Sequence, residues 1–380
     1  MIYYILLLII NTFLFLIMRE SNIKQKKKTN NIYKYEKIKK RNTKIYLITI
    51  LSILLFMTTF RDINLGVNDT AKIHIPFFIN VRNMTFAEIF NKYTISNGIL
   101  YALVAKFINY LTQDYRLFLC VSILPFLYGC YLLISNYSKM PFYSVTMLIC
   151  LFYFISFTIM RQFFAMGFIL ISFHYLLQKK PVAFIVYNVL AIFTHFTSFV
   201  FLPTYFLYKI IDKGYINFIM IFGCLLVGLY FKDIIFNIIK VISPYYYFYL
   251  TVGVYSTKSS FSLIWFSVLI IFLLMAYFTN CRHNNLFALS KKMRRIDKVL
   301  IYLLTIAIML FCLSTVVGEF YRISFYFSIF SIILVPNAIA KINYKKLRQS
   351  VYYLSLQMLF IYLFGSVLVN YNCINYSFNF

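Results

Sequence analysis

Apolar runs long enough to cross a bilayer, or nearly so, follow one another along almost the whole chain. They lie at 2–18, 45–60, 117–134, 141–160, 162–178, 182–194, 196–211, 216–231, 261–279, 299–316, 321–340 and 350–370. A crossing takes about 20 residues, with a range near 17–25. The pattern predicts an all-α, polytopic integral membrane protein of about twelve transmembrane helices. Residues 1–380 read as a single membrane domain with no soluble domain of any size. The stretches 182–194 and 196–211 are short, and they also read as one broken hairpin dipping in from one face. The first run follows Met1 without a basic leader or a small-residue cleavage site, so it reads as a retained helix rather than a signal peptide.

The polar breaks set the expected orientation. Residues 19–44 carry eleven Lys or Arg against two acids, Glu20 and Glu36. Residues 281–298 add six basic side chains and 341–348 four more, and Lys179, Lys180, Lys209 and Lys213 sit in two short turns. Basic loops stay on the cytoplasmic side. That makes 19–44 a basic cytoplasmic loop, mobile or partly helical, and alternation makes 61–97 and 232–260 outer loops. The segment 98–111 breaks the count. It is short at 1.5 Å per residue and carries Lys106 at its centre. If it crossed, Lys179 and Lys180 would fall outside. It therefore reads as a short re-entrant or interfacial helix on the outer face, with both termini outside.

Composition agrees. Of 380 residues, 62% are hydrophobic, 21% aromatic and only 12% charged, where a soluble domain carries about 25% charged. The net charge of +27 would suggest nucleic acid on a soluble protein. Here the basic groups sit in loops between apolar runs, so topology and anionic membrane lipids account for them, and no nucleic-acid partner is expected. The seven cysteines form no CxxC pair, so neither a disulfide framework nor a zinc site is indicated. No phosphate loop, HExxH helix or dinucleotide fingerprint is present, nor a DxD pair of the kind that holds a metal–nucleotide-sugar. No cofactor and no metal are expected. An outer-face site needs a donor that is already outside, and a lipid-linked donor meets that need.

Uncommon polar residues gather at the breaks assigned outside. Arg61 and Asp69 flank a Gly66-containing turn after the second run. Arg161 and Gln162 sit where the runs 141–160 and 162–178 meet, with almost no loop around them. A guanidinium at the lip of a membrane suits phosphate or pyrophosphate, although it also fits a snorkelling side chain. His195 sits at a turn, where it acts as a general base on a hydroxyl or simply as a cap. Asp69 orients a sugar hydroxyl, balances Arg61, or is a turn residue. Glu319 and Arg322 lie three apart and share a helical face, where they line a site or pair with each other. Tyr326 follows one turn further on. His74 and His174 read as structural or surface residues, and the tyrosines near 245–255 as an interfacial belt.

These pieces together resemble the EpsG family of Wzy-like polymerases that build bacterial exopolysaccharide, capsule and O-antigen. The resemblance rests on Arg61…Gly66…Asp69, on Arg161-Gln162-x-x-Ala165, on Ala191-x-x-x-His195-x-x-Ser198 and on Arg322-x-x-x-Tyr326. It covers nearly the full chain and is tightest over 45–211. Thr70 stands where the family carries an aromatic, and Tyr101 serves in place of an upstream Tyr. The resemblance implies a multi-pass glycosyltransferase of the bacterial plasma membrane. It would join oligosaccharide units linked to undecaprenyl pyrophosphate, with a flippase and a chain-length regulator as protein partners. On this reading Arg161, His195 and Asp69 are catalytic, and Arg61, Gln162, Glu319, Arg322 and Tyr326 bind substrate. The alternatives are a ligase of the O-antigen type, a membrane acyltransferase, and a transporter. A transporter would show polar groups at the midplane and repeated halves.

Overall fold

The computed structural model describes residues 2–28, 31–65, 69–206, 215–230, 262–282, 285–289, 295–315, 320–370 and the single positions 234, 237, 240, 241, 318, 373, 377 and 378. The described chain is helical apart from a small antiparallel hairpin of Cys281–Arg282 with Asn285–Leu289. It divides into two compact units, Met1–Leu202 with Lys346–Phe380, and Pro203–Lys345.

The first unit opens with two long helices, α1 (Ile2–Lys28) and α2 (Ile32–Phe60). At 29 residues and 1.5 Å per residue, α2 is about 43 Å long, well beyond a hydrocarbon core of about 30 Å. Both arms of the basic stretch 19–44 are therefore helical rather than loop. Asn31 caps α2 by accepting from the Lys34 N–H. The arms are fastened by the Asn42 carboxamide, which donates to Ser21 at 3.1 Å and Asn22 at 2.8 Å. Deeper in, Tyr46 donates to Asn11, and Asn11 donates to Thr146.

After α2 a π-helical turn, Thr70–His74, runs into α3 (Ile75–Arg82). Short helices α4 (Phe86–Lys92) and α5 (Ile99–Leu111) follow. Thr85 and Glu88 form a reciprocal capping box that starts α4. Phe78, Val81, Ile89, Tyr101, Ala102 and Phe118 form a shared core for this segment. Lys106, central in the apolar α5, is buried with its ammonium donating to the Arg82 carbonyl at 2.9 Å. Its charge thus caps the end of α3, which explains how a lysine sits in that helix at all.

The long helices α6 (Tyr115–Tyr137) and α8 (Met160–Leu177) pack side by side. Gly129 and Gly167 allow their close approach. A Cβ on Gly167 would lie 2.4 Å from backbone atoms of Pro125 and Phe126, the small-residue contact common between membrane helices. Between them α7 (Pro141–Leu148) continues through a π turn, Ile149–Tyr153, into a 3₁₀ turn, Phe154–Phe157. Every residue from 143 to 158 is buried inside the protein. Helix α9 (Pro181–Thr194) then ends at His195, and a 3₁₀ turn, Phe196–Phe201, follows.

The second unit holds helices Tyr215–Tyr230, Leu263–Asn280 and Arg295–Leu313, and a bent pair, Phe320–Ser328 and Ser331–Ile339. Lys341 reaches the buried Asp297 at 2.8 Å and also donates to Asn280. This basic residue ties three helices together as well as contributing to the charge pattern.

Among the described residues, seven helices are long and apolar enough to cross a membrane, or eight if the bent pair is one span. The chain is thus a polytopic membrane protein. The difference from about twelve lies in the runs expected at 141–160, 182–194, 196–211 and 216–231, where the described helices are the shorter Pro141–Phe157, Pro181–Thr194, Phe196–Phe206 and Tyr215–Tyr230. Backbone breaks divide these runs. The last three fall below the usual crossing length, and 141–157 is interrupted within its apolar run.

Candidate functional site

The described part of the candidate site is built in the first unit, where the end of α2 and the start of α8 meet. Arg61 ends α2 in extended conformation, and its side chain is only 1% exposed. One guanidinium nitrogen donates to the Thr58 carbonyl at 3.2 Å. The other donates to the Thr70 hydroxyl at 2.8 Å and meets the Met160 sulfur at 3.4 Å. The guanidinium plane lies 4.2 Å from the centre of the Phe157 ring, a cation–π contact. Thr70 in turn donates to the Phe157 carbonyl. Thr70 is therefore a polar clasp on Arg61. Asp69, half-buried, directly precedes it at the start of the π turn. Near the C-terminus, Phe378 bridges to Arg61 in a single antiparallel pair, and the Asp62 N–H donates to the Ser377 carbonyl.

Arg161 is the second residue of α8 and is half-buried. Its Nη1 donates to the Asn97 carbonyl at 2.9 Å. Gly98 makes that approach possible. It sits at φ +81°, and a Cβ there would lie 2.5 Å from the Thr194 carbonyl and 3.2 Å from Arg161 Cδ. Three segments thus meet at Gly98: the start of α5, the start of α8 and the end of α9. Gln162 is buried in the first turn of α8. Arg161 and the aligned peptide dipoles of α8 give the helix terminus a positive field, with one arginine on it and another against it.

His74, read from sequence as structural or surface, lies in this same place. It is buried, its ring stands 6.3 Å from that of Tyr101, and it donates to the Thr158 carbonyl. Burial drives its pKa down to about 4, and the charges of Arg61 and Arg161 both push the same way. The imidazole is neutral, and with one nitrogen donating to a carbonyl the other keeps its lone pair. The sequence held one usable signal, a histidine five residues after Asp69. Its proximity to Arg161, 87 positions away (161 − 74), exists only in the fold.

His195 caps α9 in extended conformation, and its Nδ1 pairs with the Thr197 hydroxyl at 3.0 Å. It follows Thr194, whose carbonyl abuts Gly98. Arg322 is half-buried and Tyr326 fully buried in the helix Phe320–Ser328 of the second unit. Glu319 and Gly66 lie outside the described residues, as does the tyrosine group near 245–255. Among the described residues no three His, Cys, Asp or Glu side chains gather as a metal site.

A bundle of apolar helices with two guanidiniums near one helix N-terminus defines a polytopic membrane protein. The chain belongs to the EpsG family, whose model matches residues 44–378. EpsG is a family of Wzy-like polysaccharide polymerases, so the chain is placed in polysaccharide biosynthesis with a lipid-linked sugar as substrate. Comparison with curated proteins and with solved structures gives no match.

Proposed function

We propose that this protein is a glycosyltransferase that polymerises oligosaccharide units linked to undecaprenyl pyrophosphate, acting at the outer face of the bacterial plasma membrane. The observation that carries the reading is the convergence of Arg61 and Arg161 on the N-terminus of α8. Such a terminus offers about half a positive charge to an anion. Arg161 adds charge and a forked donor suited to phosphate oxygens, and the buried Arg61 adds its charge.

In the proposed reaction an acceptor hydroxyl attacks the anomeric carbon of the lipid-linked donor. The carbon–oxygen bond to pyrophosphate breaks, and the electron pair leaves with the pyrophosphate. Arg161 and Arg61 stabilise the charge that develops there. A neutral imidazole takes the hydroxyl proton. His74 suits this role because it is unprotonated and lies near both arginines, and His195 is the second candidate. When pyrophosphate offsets the two positive charges, the affinity of His74 for a proton rises, which favours proton transfer with donor bound. Asp69 orients the sugar, and Gln162 contributes to substrate binding.

The test is genetic and chemical. Deleting the gene should leave lipid-linked glycan as single units, and the wild-type gene should restore the ladder of longer chains. Full ladders in the deletion strain would refute the polymerase assignment.

A further inference from the structure

A second polar feature lies apart from the arginines. An open cleft of about 670 Å³ is formed where α3 turns into α4, lined by Asn80, Asn83, Met84, Glu88, Asn91 and Lys92. Its volume falls in the range of small-molecule sites, about 300–1,000 Å³. None of Arg61, His74, Arg161 or His195 lines it.

The walls are held from behind. Lys106 donates to the Arg82 carbonyl at 2.9 Å. Arg82 grips Asn109 and both the backbone and side-chain oxygens of Gln113. Asn109 closes the brace by donating to the Phe78 and Ala105 carbonyls. The turn that carries Asn83 and Met84 is therefore fixed to α5. On the other wall, Glu88 accepts from the Thr85 N–H at 2.6 Å and the Thr85 hydroxyl at 3.0 Å. These bonds hold its carboxyl below the usual carboxylate range. Among the described residues, no side-chain hydrogen bond engages the carboxamides of Asn80, Asn83 or Asn91.

The lining chemistry selects a ligand class. Each carboxamide offers both a donor and an acceptor, and an ionised carboxylate accepts from hydroxyl groups. A sugar presents neighbouring hydroxyls that both donate and accept. An anion would meet Glu88, and a lipid tail would meet five polar side chains and one apolar one, Met84. The cleft is close to the arginine site along the chain. The chain from Lys92 at its rim to Asn97, whose carbonyl holds Arg161, spans at most about 18 Å.

We propose that the cleft at Asn80, Asn83, Glu88 and Asn91 is a carbohydrate-binding site that holds the glycan of a lipid-linked substrate while its pyrophosphate engages the arginines. This rests on the polymerase reading for the identity of the glycan. The glycan comes from the incoming unit or from the growing chain, and both present the same hydroxyl chemistry.

The experiment uses the full-length protein in lipid nanodiscs. One probe is the single repeat unit, released by mild acid from the lipid-linked glycan of deletion cells. The others are a longer fragment of finished polymer and inorganic pyrophosphate. Calorimetry on wild type and on an Asn83→Ala, Asn91→Ala double variant reads affinity. Both positions are exposed, so the variant should fold. We expect the double variant to lose at least tenfold in affinity for one or both oligosaccharides, and the one that loses identifies the source. Its pyrophosphate affinity should equal that of wild type, which shows that the fold is intact. Equal oligosaccharide affinity in both proteins, or none in wild type, overturns the cleft. Polymer formation in cells is scored separately, so loss of the cleft proposal leaves the polymerase reading to stand or fall on its own test.

Discussion

Arg61 and Thr70 are joined by a 2.8 Å hydrogen bond from guanidinium to hydroxyl, buried beneath the Phe157 ring. A buried guanidinium needs its donors satisfied, and Thr70 does this while bonding on to the Phe157 carbonyl. Thr70→Val keeps the shape and removes the acceptor. It should cost about 2 kcal/mol of stability, the scale for hydrogen bonds to charged groups, and should lower polymer output at matched protein levels. Thermal unfolding in detergent checks the first part and the glycan ladder the second. An unchanged Tm and ladder would show that Arg61 does not depend on Thr70.

Arg161→Lys tests the pyrophosphate role. Lysine keeps the charge and loses the planar fork. Removing one well-aimed donor to a developing oxyanion costs about a hundred- to a thousand-fold in rate. The variant should accumulate normally and leave single, unpolymerised units. Full-length polymer would mean that charge alone suffices there.

His74 gives a pH signature. Its folded pKa of about 4 lies below the ordinary 6.5. Between those values the unfolded chain binds more protons, so acid favours unfolding. The contribution is complete above about 6.5 and is lost as pH falls toward 4, a swing of roughly 3 kcal/mol at most. His74→Gln can still donate to the Thr158 carbonyl and should flatten this acid limb. It should also stop polymerisation if His74 takes the proton. His195→Ala should then be milder. Polymer from His74→Gln with none from His195→Ala would reverse the two assignments.

Gly98→Ala should be damaging although it adds one methyl. The left-handed conformation costs an L-residue about 1–2 kcal/mol, and the new Cβ would lie 2.5 Å from the Thr194 carbonyl. The contact between Arg161 and Asn97 should be displaced with it. Wild-type yield and polymer length from this variant would show that the junction tolerates movement.

Topology is testable by labelling. In a cysteine-free background, cysteines at Asn91 and Asp114 should both react with an impermeant thiol reagent on intact cells, and one at Asn284 should not. Opposite behaviour at Asn91 and Asp114 would show that α5 crosses the membrane.

The apolar runs and their basic breaks were enough to read a polytopic helical membrane protein, because burying backbone in hydrocarbon leaves few alternatives to helix. The residues that open and close helices, Arg61, Asp69, Arg161 and His195, were equally legible, since an ionisable group beside a long apolar run stands out locally. The helix count was not. Residues 143–158 are enclosed by protein, and a helix surrounded by side chains is as apolar as one surrounded by lipid. Nor did sequence show that Lys106 caps α3, that Thr70 clasps Arg61, or that His74 feels the charge of Arg161. Those relationships join residues on different helices. They depend on how the helices pack, and only the tertiary structure decides that.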